Sequence, residues 1–235
     1  MTPRALVDAL APGELVITGD EHHYLFRVRR LTIGDPIEVA DADGRVGSAR
    51  VLSIAADTAV VVVDEVRPAP AAIPRITILQ ALIKGERMEW CVEKLAEVGA
   101  DEIVLIDTAR AVVRLEGDRA EARRARLEQV ARAAARQSRQ AVPTVVGPMS
   151  LRDALASTRA ATRLVCHPAA MDQPMGWPRD TASVAILVGP EGGLTADEVD
   201  RAVAAGFQPA SLGAGVLRAE TAGVVACAHV RMTAR

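Results

Sequence analysis

Aromatic residues and cysteines are scarce in this sequence, and each shortage argues against a class of protein. Only five of the 235 residues are Phe, Trp or Tyr, which disfavours RNA recognition on a sheet of stacking aromatic rings. The three cysteines, Cys91, Cys166 and Cys227, are far apart and form no C-x-x-C pair. This spacing argues against a disulfide framework or a zinc site, and it predicts reduced, mostly buried thiols in a cytoplasmic protein.

Two further absences concern membranes and metals. No apolar run approaches the roughly 20 residues that a membrane span requires, and Met1–Arg4 does not begin a secretory signal. We therefore expect no membrane partner. Only four histidines are present, and the adjacent pair His22-His23 has no cysteine or acidic cluster at ligand spacing. The sequence consequently predicts no metal site.

Positive charge is concentrated in one segment of a chain whose formal net charge is −2. Nine arginines and four acids fall between residues 110 and 139. The spacing predicts a helix over 119–139, with one apolar side formed by Leu127, Val130, Ala131 and Ala134. A second side, at intervals of four and three residues, carries Arg132, Arg136 and Arg139. That second side is either a solvated helix face or a surface that binds phosphates.

Proline divides the chain into two parts. Residues 67–74 contain three prolines and predict a linker. Before the linker, short strands at 36–40, 45–54 and 59–63, with a hairpin turn at Asp43-Gly44, predict a small β-barrel.

After the linker, strand-like and helical segments alternate. The apolar, strand-like runs are 76–82, 103–106, 163–166 and 184–188. Between or after them, helical patterns lie at 86–98, at the arginine-rich segment and after the capping box Thr195–Glu198. Alternation of this kind predicts an α/β fold with a mainly parallel sheet.

Two glycine-rich turns near the C-terminus are the strongest functional signal. Val188–Leu194 reads VGPEGGL, and Leu212–Thr221 reads LGAGVLRAET. Glycine lets the backbone approach a ligand closely, and open α/β sheets bind ligands at the carboxyl ends of their strands. Neither turn is a nucleotide motif, because Arg218 replaces the third glycine of a dinucleotide fingerprint and the first turn lacks the lysine of a P-loop. The turns therefore either form a different kind of cofactor pocket or are structural.

Together, the two turns resemble the signature pair of the bacterial 16S ribosomal RNA uridine-N3 methyltransferase family. His22–Arg30, Lys84–Trp90 and Gln137–Arg139 are also similar to segments of that family, so the resemblance covers nearly the whole chain. It implies an α/β protein with an N-terminal PUA-like β-barrel over residues 1–68 that binds RNA. It also implies a SPOUT methyltransferase domain over 74–235 with a C-terminal trefoil knot. Ala214, Gly215 and Ala219 depart from the family's usual pattern.

The resemblance implies S-adenosyl-L-methionine as cofactor. The implied cofactor contacts are His167, Pro168, Val188, Gly189, Pro190, Glu191, Gly192, Gly193, Leu212, Gly213, Leu217 and Arg218. For methyl transfer to N3, we expect Arg218 to stabilise the uracil anion, and Glu220 to orient that arginine or to take the N3 proton. The alternative for Glu220 is an acid that is favoured at a helix N-terminus by the helix dipole.

The expected partners are 16S ribosomal RNA, or the small ribosomal subunit, and a second copy of the chain. The candidate RNA contacts form two groups: Arg27, Arg29 and Arg30, and Arg132, Arg136 and Arg139. A homodimer is implied by the resemblance, with a contact face on the last helix formed by Ala222, Val225, Ala226 and His229. The alternative is that this face belongs to the core of its own chain. Two alternatives remain open: a non-catalytic RNA-binding protein, and a SPOUT methyltransferase that modifies a different RNA atom.

Overall fold

The structure, a computed structural model, describes residues 2–41, 44–69, 72–170 and 172–234. The chain divides into two compact units, Met1–Ala71 and Ala72–Arg235. The hairpin turn that the sequence predicts includes Asp43, and the predicted linker includes Pro70; both lie outside the described residues. Within the described ranges, no helix has the length and apolar character needed to cross a membrane.

The first unit is built on a five-stranded sheet that curls into a half-barrel. Its strands are β1 (Arg4–Val7), β2 (Gly13–Thr18), β3 (Pro36–Asp41), β4 (Arg45–Ile54) and β5 (Thr58–Pro68). The strand order is β1-β3-β4-β5-β2, and every pairing is antiparallel except that of β1 with β3. A short helix, α1 (Gly19–His22), continues into a π-helical turn at His23–Val28.

Alternation along β5 explains how this sheet forms its core. Ala59, Val61 and Val63 are buried, and the residues between them are more exposed, because successive side chains of a strand point to opposite faces. The strand also extends through Arg67 and Pro68, which the sequence placed in the linker. Pro68 is tolerated there because β2 pairs only with residues 58–63 of β5, so beyond Val63 the strand has β4 as its one neighbour.

The second unit contains the parallel sheet that the alternating pattern predicted. Its strands are β6 (Arg75–Ala81), β7 (Glu102–Asp107), β8 (Thr144–Ser150), β9 (Thr162–Cys166), β10 (Ser183–Val188) and β11 (Gln208–Ala210). The order is β11-β9-β10-β6-β7-β8, and all of these pairings are parallel. Its helices are α2 (Glu86–Glu97), α3 (Gly117–Ser138), α4 (Leu151–Ser157), α5 (Ala196–Ala204) and α6 (Ala219–Thr233).

Helices cover both faces of this sheet, so the second unit has three layers. On β6, Ile76 and Ile78 belong to the hydrophobic cluster that contains residues of α2, α3 and α6. Leu79 and Ala81 belong to the opposite cluster, which contains residues of α4 and α5. A parallel sheet that is buried on both faces requires apolar side chains at consecutive positions, and this is why β6, β7 and β10 read as continuous apolar runs.

Three elements of the second unit had no clear sequence signal. β8 contains Gly147-Pro148, a pair that usually marks a turn, but β8 is the edge strand, where proline is tolerated. α4 and β11 are short, with seven and three residues. The arginine-rich helix ends at Ser138 and not at Arg139, because Arg139 has a φ of 61°, a left-handed conformation typical of the residue that ends a helix.

Candidate cofactor and active site

A cavity lies at the carboxyl ends of three neighbouring strands of the parallel sheet. Cys166 ends β9, and its Cα partners in the register are Val188 on β10 and Ala210 on β11. The loops that follow these strands therefore begin side by side. They enclose a cavity of about 710 Å³, at the place where open α/β sheets bind ligands.

All of the residues that the resemblance implied as cofactor contacts line this cavity. They are His167, Pro168, Val188, Gly189, Pro190, Glu191, Gly192, Gly193, Leu212, Gly213, Leu217 and Arg218. The folded chain thus brings together three segments that are separated in the sequence by 19 and 18 residues. Their contact with the cofactor itself stays a prediction.

The first glycine turn folds back tightly on itself. The Gly193 N–H donates to the Pro190 carbonyl oxygen at 2.9 Å. A Cβ at Gly189 would lie 2.9 Å from Leu194 Cγ and 3.1 Å from the Leu194 nitrogen, so this close approach requires glycine. The turn leads directly into α5, where Thr195 and Glu198 form the capping box that the sequence predicted.

Glu220 is the most unusual polar group in the cavity wall. It lies in the first turn of α6 and is 7% exposed. Its Oε1 atom is 3.9 Å from Nε of Arg87, whereas its Oε2 atom is buried and has no hydrogen-bond partner within the described part of the chain. A buried carboxylate oxygen without a donor is costly, so this atom is suited to accept a proton or a hydrogen bond from a ligand.

A thiol lies in the neighbourhood of this carboxylate but cannot serve as a nucleophile. Burial raises the pKa of the Cys91 thiol to about 12, and the negative charge of Glu220 adds to the effect. The Cys91 Sγ–H donates to Oε1 of Gln80 at 3.7 Å. Because the thiolate is the reactive form, Cys91 is an inert part of the packing beneath α6.

Arg218, the second residue that the sequence assigned to catalysis, is the N-cap of α6. Its side chain is exposed and lines the cavity. The Arg218 carbonyl oxygen accepts from the backbone N–H groups of Thr221 and Ala222, which fixes its backbone at the start of the helix. A guanidinium carries five donors, and Arg218 and Glu220 line the same cavity.

Two further arginines reach the cavity although the sequence did not assign them to it. Arg87 lies at the start of α2, and Arg110 lies in the loop between β7 and α3. Arg87 belongs to a segment, Lys84–Trp90, that contributed to the family resemblance, but nothing in its spacing indicated contact with Glu220. Sequence separations of more than 80 residues explain why these two neighbours were missed.

The predicted RNA-contacting arginines have different environments in the two units. Arg27, Arg29 and Arg30 are exposed around the end of the π-helical turn. Arg132, Arg136 and Arg139 are each half-buried at the C-terminal end of α3. Whether either group binds RNA stays a prediction.

Other arginines of α3 have structural roles. Arg123 and Arg126 both pair with Glu89 of α2, at 2.6 and 3.1 Å, and Arg124 pairs with Glu128 at 2.6 Å. Burial alone would raise the pKa of Glu89, but the hydrogen bonds and charges of Arg123 and Arg126 outweigh this effect and lower the pKa. Part of the positive charge that suggested phosphate binding therefore attaches α3 to α2.

Comparison with known proteins identifies the same two parts. An RNA methyltransferase domain family matches residues 70–231, and an RNA methyltransferase PUA domain family matches residues 17–64. The ribosomal RNA small subunit methyltransferase E of Mycobacterium tuberculosis is 34% identical over 224 residues, which cover 92% of this chain and 85% of that protein. The protein of the same name from Bacillus subtilis is 30% identical, covering 91% of this chain and 88% of its own length.

Solved structures are similar to this chain over nearly its whole length. The ribosomal RNA small subunit methyltransferase E of Neisseria gonorrhoeae, bound to S-adenosyl methionine, has a TM-score of 0.89 at 26% identity, covering 99% of this chain and 98% of that one. A Legionella pneumophila protein solved with the cofactor SAM bound has a TM-score of 0.90, also at 26% identity, with the same coverage. The resemblance drawn from the glycine turns is thereby confirmed: this chain belongs to the ribosomal RNA small subunit methyltransferase E family.

Proposed function

We propose that this protein is an S-adenosylmethionine-dependent methyltransferase that modifies N3 of a uridine in 16S ribosomal RNA. The observation that carries the chemical part of this proposal is the buried Oε2 atom of Glu220, which lacks a hydrogen-bond donor among the described residues and belongs to a residue that lines the cavity. Family membership supports the cofactor and the RNA substrate.

The cavity fits a cofactor of this size and chemistry. Its volume of about 710 Å³ lies within the range of roughly 300–1,000 Å³ that is usual for small-molecule sites. The backbone of the Gly189–Leu194 turn and of the loop around Gly213 would hold the adenosine and amino-acid parts. When bound, S-adenosylmethionine supplies an electrophilic methyl group on a sulfonium sulfur.

Glu220 and Arg218 have complementary tasks toward the uracil. N3 of uracil carries a proton that must leave before the nitrogen can accept a methyl group, and Oε2 of Glu220 is the acceptor for that proton. The guanidinium of Arg218 stabilises the negative charge that develops on the uracil oxygens. Because N3 is masked in a base pair, the target uridine must be unpaired or extruded to reach these groups.

RNA binding by two separate surfaces is part of this proposal. The exposed group Arg27, Arg29 and Arg30 supplies phosphate contacts in the first unit, and Arg132, Arg136 and Arg139 supply them in the second. Each neutralised phosphate releases counterions, so affinity for 16S ribosomal RNA or the small subunit should fall steeply with salt. Replacing Arg29 and Arg30 with alanine should flatten that dependence and leave cofactor affinity unchanged.

Dimer formation through α6 is also proposed, with a corrected contact face. Ala222 and Ala226 are buried in the hydrophobic core of their own unit, so they are not available to a second copy. Val225, His229 and Met232 are exposed at intervals of four and three residues, which places them on one side of the helix. Sedimentation equilibrium at micromolar concentration tests the dimer. The trefoil knot at the C-terminus is also proposed, because the family resemblance implies it.

The experiment that tests the function is nucleoside mapping of ribosomal RNA by mass spectrometry. A strain that lacks this chain should lose one 3-methyluridine from 16S ribosomal RNA, and the wild-type chain, but not Glu220→Gln, should restore it. Loss of a different methylated nucleoside would show that another RNA atom is the target. Unchanged modification, together with no affinity of the purified protein for S-adenosylmethionine, would leave only RNA binding.

A further inference from the structure

The loop between β7 and α3 contacts the first glycine turn, although the two are about 80 residues apart in the sequence. Arg110 of this loop lines the cavity, and its Nη1 donates to the carbonyl oxygen of Gly192 at 3.1 Å. A Cβ at Gly192 would lie 3.2 Å from Cβ of Arg110. The turn is therefore in direct packing contact with the loop as well as hydrogen-bonded to it.

A buried carboxylate holds the same two segments together. Glu198 of α5 is 6% exposed, and its Oε1 atom accepts from the backbone N–H of Ala109 at 2.7 Å. Its Oε2 atom accepts from the N–H and the hydroxyl of Thr195 at 2.8 and 3.2 Å. Since Ala109 precedes Arg110 and Thr195 follows the glycine turn, Glu198 fixes one end of each segment.

We propose that Arg110 is a positioning residue for the cofactor-binding turn, and that Glu198 anchors the loop that carries it. This inference rests on the proposed function, because it takes the Gly189–Leu194 turn as part of the cofactor site. A turn already held in its binding conformation loses less conformational freedom when it binds a ligand. Arg110 thus contributes to cofactor affinity through the backbone of Gly192.

Replacing Arg110 with alanine tests this role against a matched control. Arg114→Ala removes an exposed arginine from the same loop, outside the set of cavity-lining residues. Hydrogen–deuterium exchange of the free protein should be faster in peptides that cover residues 189–194 for Arg110→Ala and unchanged for Arg114→Ala. Calorimetry should show about fivefold weaker binding of S-adenosylmethionine, the loss expected for one solvent-exposed hydrogen bond of ordinary strength.

Steady-state kinetics separate this role from contact with the RNA. Arg110→Ala should raise KM for S-adenosylmethionine about fivefold, as expected for one such hydrogen bond, and leave KM for the ribosomal substrate unchanged. Arg110→Lys, which retains a donor, should be intermediate. A raised KM for RNA with wild-type cofactor affinity would overturn the proposal and make Arg110 an RNA contact.

Hydrogen–deuterium exchange tests the role of Arg110 independently of the proposed function. If the wild-type protein binds no S-adenosylmethionine, the proposed function fails, but the exchange measurement still decides whether Arg110 restrains the turn. Glu198→Gln should speed exchange in peptides that cover residues 109–111 as well as in the turn. Wild-type exchange and affinity in Arg110→Ala would overturn the positioning role, whatever the stability of the Glu198 variant.

Discussion

Replacing Gly189 with alanine is expected to weaken cofactor binding, because the turn after β10 closes directly onto this residue. The added Cβ would lie 2.9 Å from Cγ and 3.1 Å from the backbone nitrogen of Leu194. Leu194 is buried in the cluster that contains residues of α4 and α5. The overlap can therefore be relieved only by moving the backbone of the turn or by displacing a core side chain.

The size of the effect follows from these contacts. Forcing an extra carbon into a packed region costs about 1–3 kcal/mol of folding free energy. A displacement of the turn that costs about 1.4 kcal/mol in the bound state lowers affinity about tenfold. Gly176 is the matched control, because it lies outside the cavity lining, has no positive φ and would place its Cβ in ordinary contact, at 3.9 Å from the Pro174 carbonyl oxygen.

Calorimetric titration with S-adenosylmethionine and urea unfolding are the assays for this pair. Gly189→Ala should bind about tenfold more weakly and unfold at lower urea, while Gly176→Ala should match the wild type in both measurements. Equal cofactor affinities for the two variants would refute the assignment of the first glycine turn to the cofactor site.

Three further predictions concern α6, the active site and the cysteines. Arg231→Ala should lower the free energy of unfolding in urea by about 2–4 kcal/mol, because this side chain donates to the carbonyl oxygens of Gly99 and Pro74 and pairs with Asp101 at 2.5 Å. An unchanged midpoint of the urea transition would contradict this anchoring role. Glu220→Gln should lower the single-turnover methylation rate about 100-fold or more. Calorimetry should show that its cofactor affinity stays within about twofold of the wild-type value. A wild-type methylation rate in this variant would leave Glu220 only the role of an acid at the helix N-terminus. Cys227 is fully buried, and burial raises the pKa of its thiol to about 12, so mass spectrometry should find this residue alkylated by iodoacetamide at pH 8 only after unfolding.

Much of the fold was predictable because it depends on local patterns. Continuous apolar runs at β6, β7 and β10, separated by helical segments, indicated a parallel sheet that is covered on both faces. The Thr195–Glu198 capping box marked the start of α5 correctly. By contrast, β8 was missed, since the Gly147-Pro148 pair within it is compatible with a strand only at the edge position that tertiary pairing provides.

The candidate site shows the same division between local and tertiary information. The glycine turns were evident from the sequence, because backbone conformation at a strand end depends on neighbouring residue types. The family and the cofactor were implied by the resemblance of these turns to a known signature pair. Only the tertiary structure placed Arg87 beside Glu220, joined Arg110 to Gly192, and left one oxygen of Glu220 buried without a donor. The two contacts join residues 133 and 82 positions apart, and they are decided by how the helices and loops pack over the sheet.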